Sequence, residues 1–311
     1  MERKILAAVD GSVHSYNALR YLSHLFTDLE DISVHLLYVV PAGELPSAKE
    51  WMDELELMNC ISPSTRKRMR QAKRFMEEAI LQLGRRGIAP CQVTTTVKLS
   101  QSGVAADIIH HARQGLYDAL MIGRRGLSMV EEWILGSVSS TITDLCHEIP
   151  IWVVDGKVNS RRFLMPVDHS FNSLKAADHL GFILQGNPYA EITLFHLASL
   201  FGGDKKTADL AKLSARWGQE WCDTHVDRDD PVYHAPEQML IERGIAPERI
   251  KRLDKERGFD ATRHIVRKSA LDKYGTIVVG RRDKDAGKSI AKGISERVLI
   301  TASQVAIWVI G

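Results

Sequence analysis

The sequence predicts an α/β protein of two tandem, doubly wound domains, each a five-stranded parallel sheet flanked by helices. Three observations predict it. Apolar runs rich in β-branched residues alternate with helical patterns along the chain. The whole alternation occurs twice, with matching residues at a near-constant separation of 157 or 158 positions. A glycine-rich stretch follows one buried strand, the place where open α/β sheets bind ligands.

In the first half, Ile5–Val9, Val34–Val40, Val93–Leu99, Ala119–Ile122 and Ile151–Val154 read as strands buried on both faces. The helical patterns between them are Ser15–Phe26, Thr65–Leu83, Val104–Ala112 and Val138–Cys146, with Gly84 and Gly87 closing the second. Strands alternating with helices require right-handed crossovers and a sheet covered on both sides. The second half repeats the order. Val9-Asp10-Gly11-Ser12 is answered by Val167-Asp168-His169-Ser170, and Tyr117–Gly123 by Tyr274–Gly280. The pentapeptide Arg86-Gly-Ile-Ala-Pro90 returns letter for letter as Arg243–Pro247, and the halves close on Ile151–Val154 and Ile307–Ile310. Ordered matches of this kind establish a duplication. The polar stretch from Asp155 to Arg161 is the expected linker, which gives domains 1–155 and 162–311 joined by 156–161.

Composition bounds the function. Over 311 residues, 44% are hydrophobic and 26% charged, and the formal charge is +2, so neither a nucleic acid partner nor an anionic membrane is expected. No uncharged run approaches the roughly 18–20 residues of a membrane span. The N-terminal residues enter a strand pattern and lack a signal peptide's apolar core. Cys60, Cys91, Cys146 and Cys222 show no paired spacing. A reduced, cytoplasmic setting fits these features.

The chemistry concentrates at Gly123-Arg124-Arg125-Gly126, followed after nine residues by Gly136-Ser137. Gly123 ends a strand, and Gly123 and Gly126 allow a tight turn and close approach of a phosphate. Gly136 to Ser139 open the next helix, whose free N–H groups favour an anion; the Ser137 and Ser139 hydroxyls are candidate donors. The plainer reading makes Gly126 an ordinary turn and Ser137 an ordinary cap. Asp10 ends the first strand at the same edge. It is a candidate for ribose, or for a divalent cation held by phosphates, and equally for capping the turn through Gly11 and Ser12.

These motifs, Val-Asp-Gly-Ser at the first strand, Leu36–Val40 at the second and the complete glycine loop, resemble the universal stress protein family (HUP class) in its ATP-binding form, and the resemblance covers both halves. It implies Val9 and Asp10 at the nucleoside, Val39 at adenine, and Gly123, Arg125, Gly126, Gly136, Ser137, Val138 and Ser139 around the phosphates. Arg125 is suited to pair with a phosphate oxygen; the alternative is two solvated arginines on a loop. The ligand implied is ATP, ADP or AMP, with Mg2+ or Mn2+.

The second copy is damaged. Gly280 and Gly293 remain, but Asp283 stands where Gly126 does, Ile294 where Ser137 does, and Glu296 where Ser139 does at a constant separation. A carboxylate about 4 Å from a phosphate, at an effective dielectric near 20, costs on the order of 4 kcal/mol. With Asp168 retained, the second half reads as a degenerate site in which Asp283 or Glu296 fills the anion position. Gly287-Lys288-Ser289 has a P-loop's ending, but Arg282 stands where the Walker pattern needs glycine.

Other signals have blander readings. Arg66–Arg74 is strongly basic on a helix whose other face is apolar, a solvated face or an anionic partner's surface. Glu44–Glu56 is acidic, a lid or a helix packed on that basic neighbour. Cys222 and His225, with His234, lack a fourth zinc ligand, and His110 and His111 face different directions on a helix. Trp152 and Trp308 on the last strands fit core packing, or pairing of the two halves through those strands; a homodimer stays open. The functional reading is an ATP-binding stress or regulatory protein with one site in the first half and a bracing second half, acting on a regulatory protein partner. The alternatives are a slow ATPase or nucleotidyl-transfer enzyme, for which Asp10 is the lone base candidate, and a nucleotide-free scaffold.

Overall fold

Apolar side chains on both faces of Arg3–Ala8 make it a central strand: Ile5, Leu6 and Ala7 are fully buried. The structure, a computed structural model, describes residues 2–27, 29–42, 60–125, 135–168, 170–199, 210–226, 230, 232–281 and 293–311. Gly126 and Asp283, the acidic stretch 44–56 and the segment 287–289 lie wholly or largely outside them. The chain divides into two compact units, Met1–Lys157 and Val158–Gly311, and the division falls inside the polar stretch 155–161.

In the first unit the order is β1 (Arg3–Ala8), α1 (Val13–Leu25), β2 (Ile32–Val40), α2 (Pro63–Gly84), β3 (Val93–Leu99), α3 (Val104–Gln114), β4 (Ala119–Gly123), α4 (Ser137–Leu145) and β5 (Ile151–Val154). All five strands are parallel, in the spatial order β3-β2-β1-β4-β5. From β1 the chain winds to β2 on one side and later to β4 on the other. Ala8 therefore lies opposite Ile122 at a topological switch point, and the crevice beyond these two strand ends is where such a sheet binds ligands.

Local chemistry explains the helices. Ser62 caps α2 by accepting from the Thr65 N–H, and Pro63 fits the first turn, where no N–H is needed. The helix buries Met69, Ala72, Phe75, Met76, Ala79 and Leu83, while Lys67, Arg68, Arg70, Lys73 and Arg74 are exposed. The basic run is thus the outer face of an amphipathic helix. The repeated pentapeptide has a structural cause. Gly87 and Gly244 adopt φ of +92° and +88°, Ile88 and Ile245 are buried, and each isoleucine N–H reaches back to a helix carbonyl at 3.1 Å. Pro90 and Pro247 then start the short 3-10 turns that lead into the next strands.

The second unit runs β6 (Arg162–Pro166), α5 (Phe171–Leu184), β7 (Glu191–Phe195), β8 (Leu197–Ser199), α6 (Leu210–Trp217), α7 (Gln219–His225), α8 (His234–Glu242), β9 (Ile250–Arg252), β10 (Glu256–Gly258), α9 (Ala261–Leu271), β11 (Thr276–Gly280), α10 (Ile294–Thr301) and β12 (Ala306–Ile310). Its parallel sheet has the order β9-β7-β6-β11-β12, the same winding as the first. A small parallel pair, β8 with β10, is added. The segment between β7 and β9 is built differently from its first-unit counterpart. Phe171, Trp217 and Trp221 pack on a small core containing Leu174, Leu213, Cys222 and Ala235. Cys222 is buried there, and His225 Nε2 sits 3.0 Å from Glu242. Trp152 stacks on Phe26 at 6.3 Å and Trp308 meets Phe163 edge-on at 5.5 Å, so each is a core residue of its own unit.

Two histidines tie stability to pH. The His35 ring, on β2, stacks on His111 of α3 with centroids 5.0 Å apart, and its Nδ1 lies 2.7 Å from Thr94 Oγ1. Burial, and then the neighbouring His111, push its pKa down to about 4. His179, edge-on to Trp308, is pushed to about 3 by burial against the opposing pull of Asp178. With folded values below the unfolded value near 6.5, the unfolded chain binds more protons between the two. This stability is complete above pH 6.5 and is lost as pH falls towards 4. The unfolding free energy from urea titration should drop between pH 6.5 and 5, by on the order of 1 kcal/mol per histidine after allowing for solvent screening. His35→Gln should flatten that slope; an unchanged slope would show that His35 titrates normally.

Candidate functional site

The loop that follows β4 is held at both ends by one residue. The Arg124 N–H donates to the Val154 carbonyl at 3.0 Å, continuing the β4–β5 ladder, and its own carbonyl accepts from the Gly136 N–H at 2.9 Å. Gly136, at the N-cap of α4, is thereby fixed beside the end of β4. Ser139, one turn into α4, donates its hydroxyl to the Gly123 carbonyl at 2.8 Å. The first two exposed N–H groups of α4 are left facing the crevice.

Across the switch point, the β1–α1 turn is equally constrained. Asp10 Oδ1 accepts from the Ser12 N–H at 3.0 Å and from the Ser15 hydroxyl at 2.7 Å, while Ser15 Oγ accepts from the Asp10 N–H at 2.9 Å. Gly11 at φ +77° makes this turn possible. Tyr38 donates its phenol to the Asp10 carbonyl at 2.7 Å and is braced edge-on by Phe75. Burial and the nearby Asp10 carboxylate raise the Tyr38 pKa, against the opposing pull of Arg68, so its hydroxyl stays a donor.

Between these two turns lies a cavity of about 250 Å³. Ala8, Val9, Val39, Val104, Ile108 and Ile122 supply its apolar walls, and Asp10, Arg125, Gly136, Ser137 and Ser139 its polar rim. Of the ten residues singled out in the sequence, Val9, Asp10, Val39, Gly123, Arg125, Gly136, Ser137, Val138 and Ser139 line this one cavity; Gly126 lies outside the described residues. Sequence reasoning missed Tyr38, Ser15, Val104 and Ile108. The helical spacing of Val104 and Ile108 was a usable signal.

Four readings need correction. Arg124 is not a solvated loop arginine: it is 1% exposed, and its Nη1 lies 3.6 Å from Asp155 Oδ2. Burial lowers the Arg124 pKa, Asp155 opposes that, and Arg125 adds to it. Asp155 is not a solvated linker residue either, being 2% exposed at the end of β5. The Ser139 hydroxyl holds Gly123 and so has its proton committed within the loop. In the second unit, the constant separation misplaces the counterpart of Ser139. Buried Ser295, Val298 and Leu299 of α10 follow the burial pattern of Ser139, Ile142 and Thr143 of α4, because α10 has one residue fewer than α4. Ser295 is therefore the counterpart, and Glu296 is exposed on the outer side of α10, which does not fit an anion-site filler.

The second crevice is also tighter. A Cβ placed on Gly123 would meet the His14 Cβ at 3.1 Å, whereas one on Gly280 would collide with the Asn172 backbone carbonyl. The α5 N-terminus thus sits closer to β11 than α1 does to β4. Asp168 repeats the turn chemistry of Asp10, accepting from the Ser170 N–H at 3.0 Å, with its own N–H reaching Ser173 Oγ at 3.3 Å. The aspartate's capping role belongs to both units.

Removing the phenol should loosen the first turn. Tyr38→Phe is expected to cost about 1 kcal/mol in urea denaturation, the worth of one buried hydrogen bond; an unchanged midpoint would show that the Asp10 carbonyl finds another donor.

No curated protein matches the sequence. A universal stress protein from Archaeoglobus fulgidus DSM 4304 has a similar solved structure at TM-score 0.64 and 20% identity, covering 99% of this chain and 97% of that one. A functionally unknown protein from Pseudomonas aeruginosa PAO1 is similar at TM-score 0.51 and 14% identity, with coverage of 99% and 92%. At these identities the likeness is one of fold. Residues 1–155 match the universal stress protein family, and every residue lining the cavity lies within that match.

Proposed function

We propose that the first unit binds an adenine nucleotide, with the nucleoside in the apolar cavity and the phosphates over the α4 N-terminus. The observation that carries this reading is the convergence of Val9, Val39, Arg125, Gly136 and Ser137 on one cavity at the switch point. Its volume of about 250 Å³ is at the small end for ligand sites and suits a nucleoside-sized group with a polar tail leaving it. The helix dipole, the N–H groups of Ser137 and Val138 in the first turn of α4 and Arg125 favour that tail being anionic. A divalent cation, Mg2+ or Mn2+, would travel with the phosphates, and the Asp10 carboxylate at the rim is the group placed to meet it.

The second unit is read as a brace, because α5 closes on Gly280 where a phosphate would have to pack. One nucleotide per chain follows, and its occupancy would bias the recognition of a regulatory protein partner. Binding rather than turnover is the reading because, among the described residues lining the cavity, Asp10 is the one carboxylate and there is no histidine.

Val104→Trp tests the cavity. Val104 begins α3 at the cavity wall and is half-buried, so a larger ring can extend into the cavity without displacing the core. Isothermal calorimetry should show ATP affinity reduced at least about tenfold, roughly 1.4 kcal/mol, with little change in Tm. Undiminished ATP binding by a folded Val104→Trp would rule out this cavity as the nucleotide site.

A further inference from the structure

The buried carboxylate behind the loop has two arginine partners that differ in kind. Asp155 Oδ2 lies 3.6 Å from Arg124 Nη1, and Asp155 Oδ1 lies 3.8 Å from Arg125 Nη2. Side-chain exposure is 3% for Asp155, 2% for Arg124 and 22% for Arg125. Arg124 is sealed in with the carboxylate, whereas Arg125 also lines the cavity and reaches solvent. At 3.8 Å its attraction to Asp155 is Coulombic without a direct hydrogen bond. A phosphate group in the cavity offers the same guanidinium charge-assisted bonds of about 2.7–2.9 Å.

We propose that Asp155 is the receiver of a ligand signal: a phosphate-bearing ligand draws Arg125 away from it, while Arg124 stays beside it. This rests on the nucleotide reading above and adds its regulation. The position of the receiver gives the exchange a consequence. Asp155 immediately follows β5, and the boundary between the two units comes at Lys157 and Val158. A change in how firmly this carboxylate is held is therefore a change at the root of the segment that leads into the second unit. The second unit carries no copy of the device. Arg281, the counterpart of Arg124, is buried and its N–H bonds the Ile310 carbonyl at 2.6 Å. Residue 311, in the place of Asp155, is glycine. The carboxylate occurs only in the unit that has the cavity.

Hydrogen exchange of the 155–161 amides in the full chain, saturated with ATP or with adenosine, tests the proposal. ATP should speed exchange there by about threefold or more, and adenosine, which has no phosphate, should not. Arg125→Gln leaves the Arg124–Asp155 pair in place. It should abolish the ATP-specific change and lower ATP affinity by about tenfold with adenosine affinity unmoved, the order expected for one charged hydrogen bond. Asp155→Asn removes the competitor and should raise the ratio of ATP to adenosine affinity; since it also strips Arg124 of its partner, Arg125→Gln is the deciding variant if this one fails to fold. Equal exchange with ATP and adenosine bound, or an ATP response that persists in Arg125→Gln, overturns the proposal and leaves nucleotide binding intact. Failure of ATP to bind at all overturns the nucleotide reading, and this proposal with it.

Discussion

The first unit depends on Arg124 being placed where a charge is costly. Its guanidinium is buried with Asp155 while its backbone ties β5 to the N-terminus of α4. Taking two charges out of water costs several kcal/mol per ion, and mutual attraction recovers that only in part. An apolar pair would hold a core as well. What the ion pair adds is a fixed position for the residues on either side: Gly123 before it ends a strand, Arg125 after it enters the cavity, and Gly136 bonds to it across the loop. The geometry of the cavity's polar rim follows from that single burial.

The two units show how little must change for one crevice to stay open and the other to close. Sheet order, capping aspartate, pentapeptide turn and terminal tryptophan are shared. The differences are local. His14 at the start of α1 stands off Gly123, while Asn172 at the start of α5 presses its backbone on Gly280. The approach of the Asn172 backbone to Gly280 is a difference that no sequence motif announces.

What was legible in the sequence follows from this. Buried parallel strands are written as continuous apolar runs, so the five strands of the first unit were found with ends within about two residues. The helix starts and the duplicated turn were legible because glycine and proline are needed at fixed backbone angles. The cavity's lining could be named because close backbone approach and helix N-termini demand small residues at set spacing. Asp155 was hidden: in a polar run, one buried carboxylate looks like any solvated one, and its arginine partner is 31 residues away, at Arg124. Ser295 was hidden for another reason. One residue fewer in the helix shifts a constant alignment by one position, and on a helix one residue turns a buried side chain outward by about 100°.

That last error bears on how function divides between the units. Ser139 and Ser295 are both buried at the start of the helix that follows the loop, and Asp10 and Asp168 both cap the turn after the first strand. Features present in both units are explained by the fold, whatever the ligand. The features that a ligand would require are those the second unit lacks: the open space beside Gly123, and an Asp155 whose second arginine faces the cavity. The repeat acts here as an internal control, separating the residues that both units use to build the fold from those that one unit alone carries.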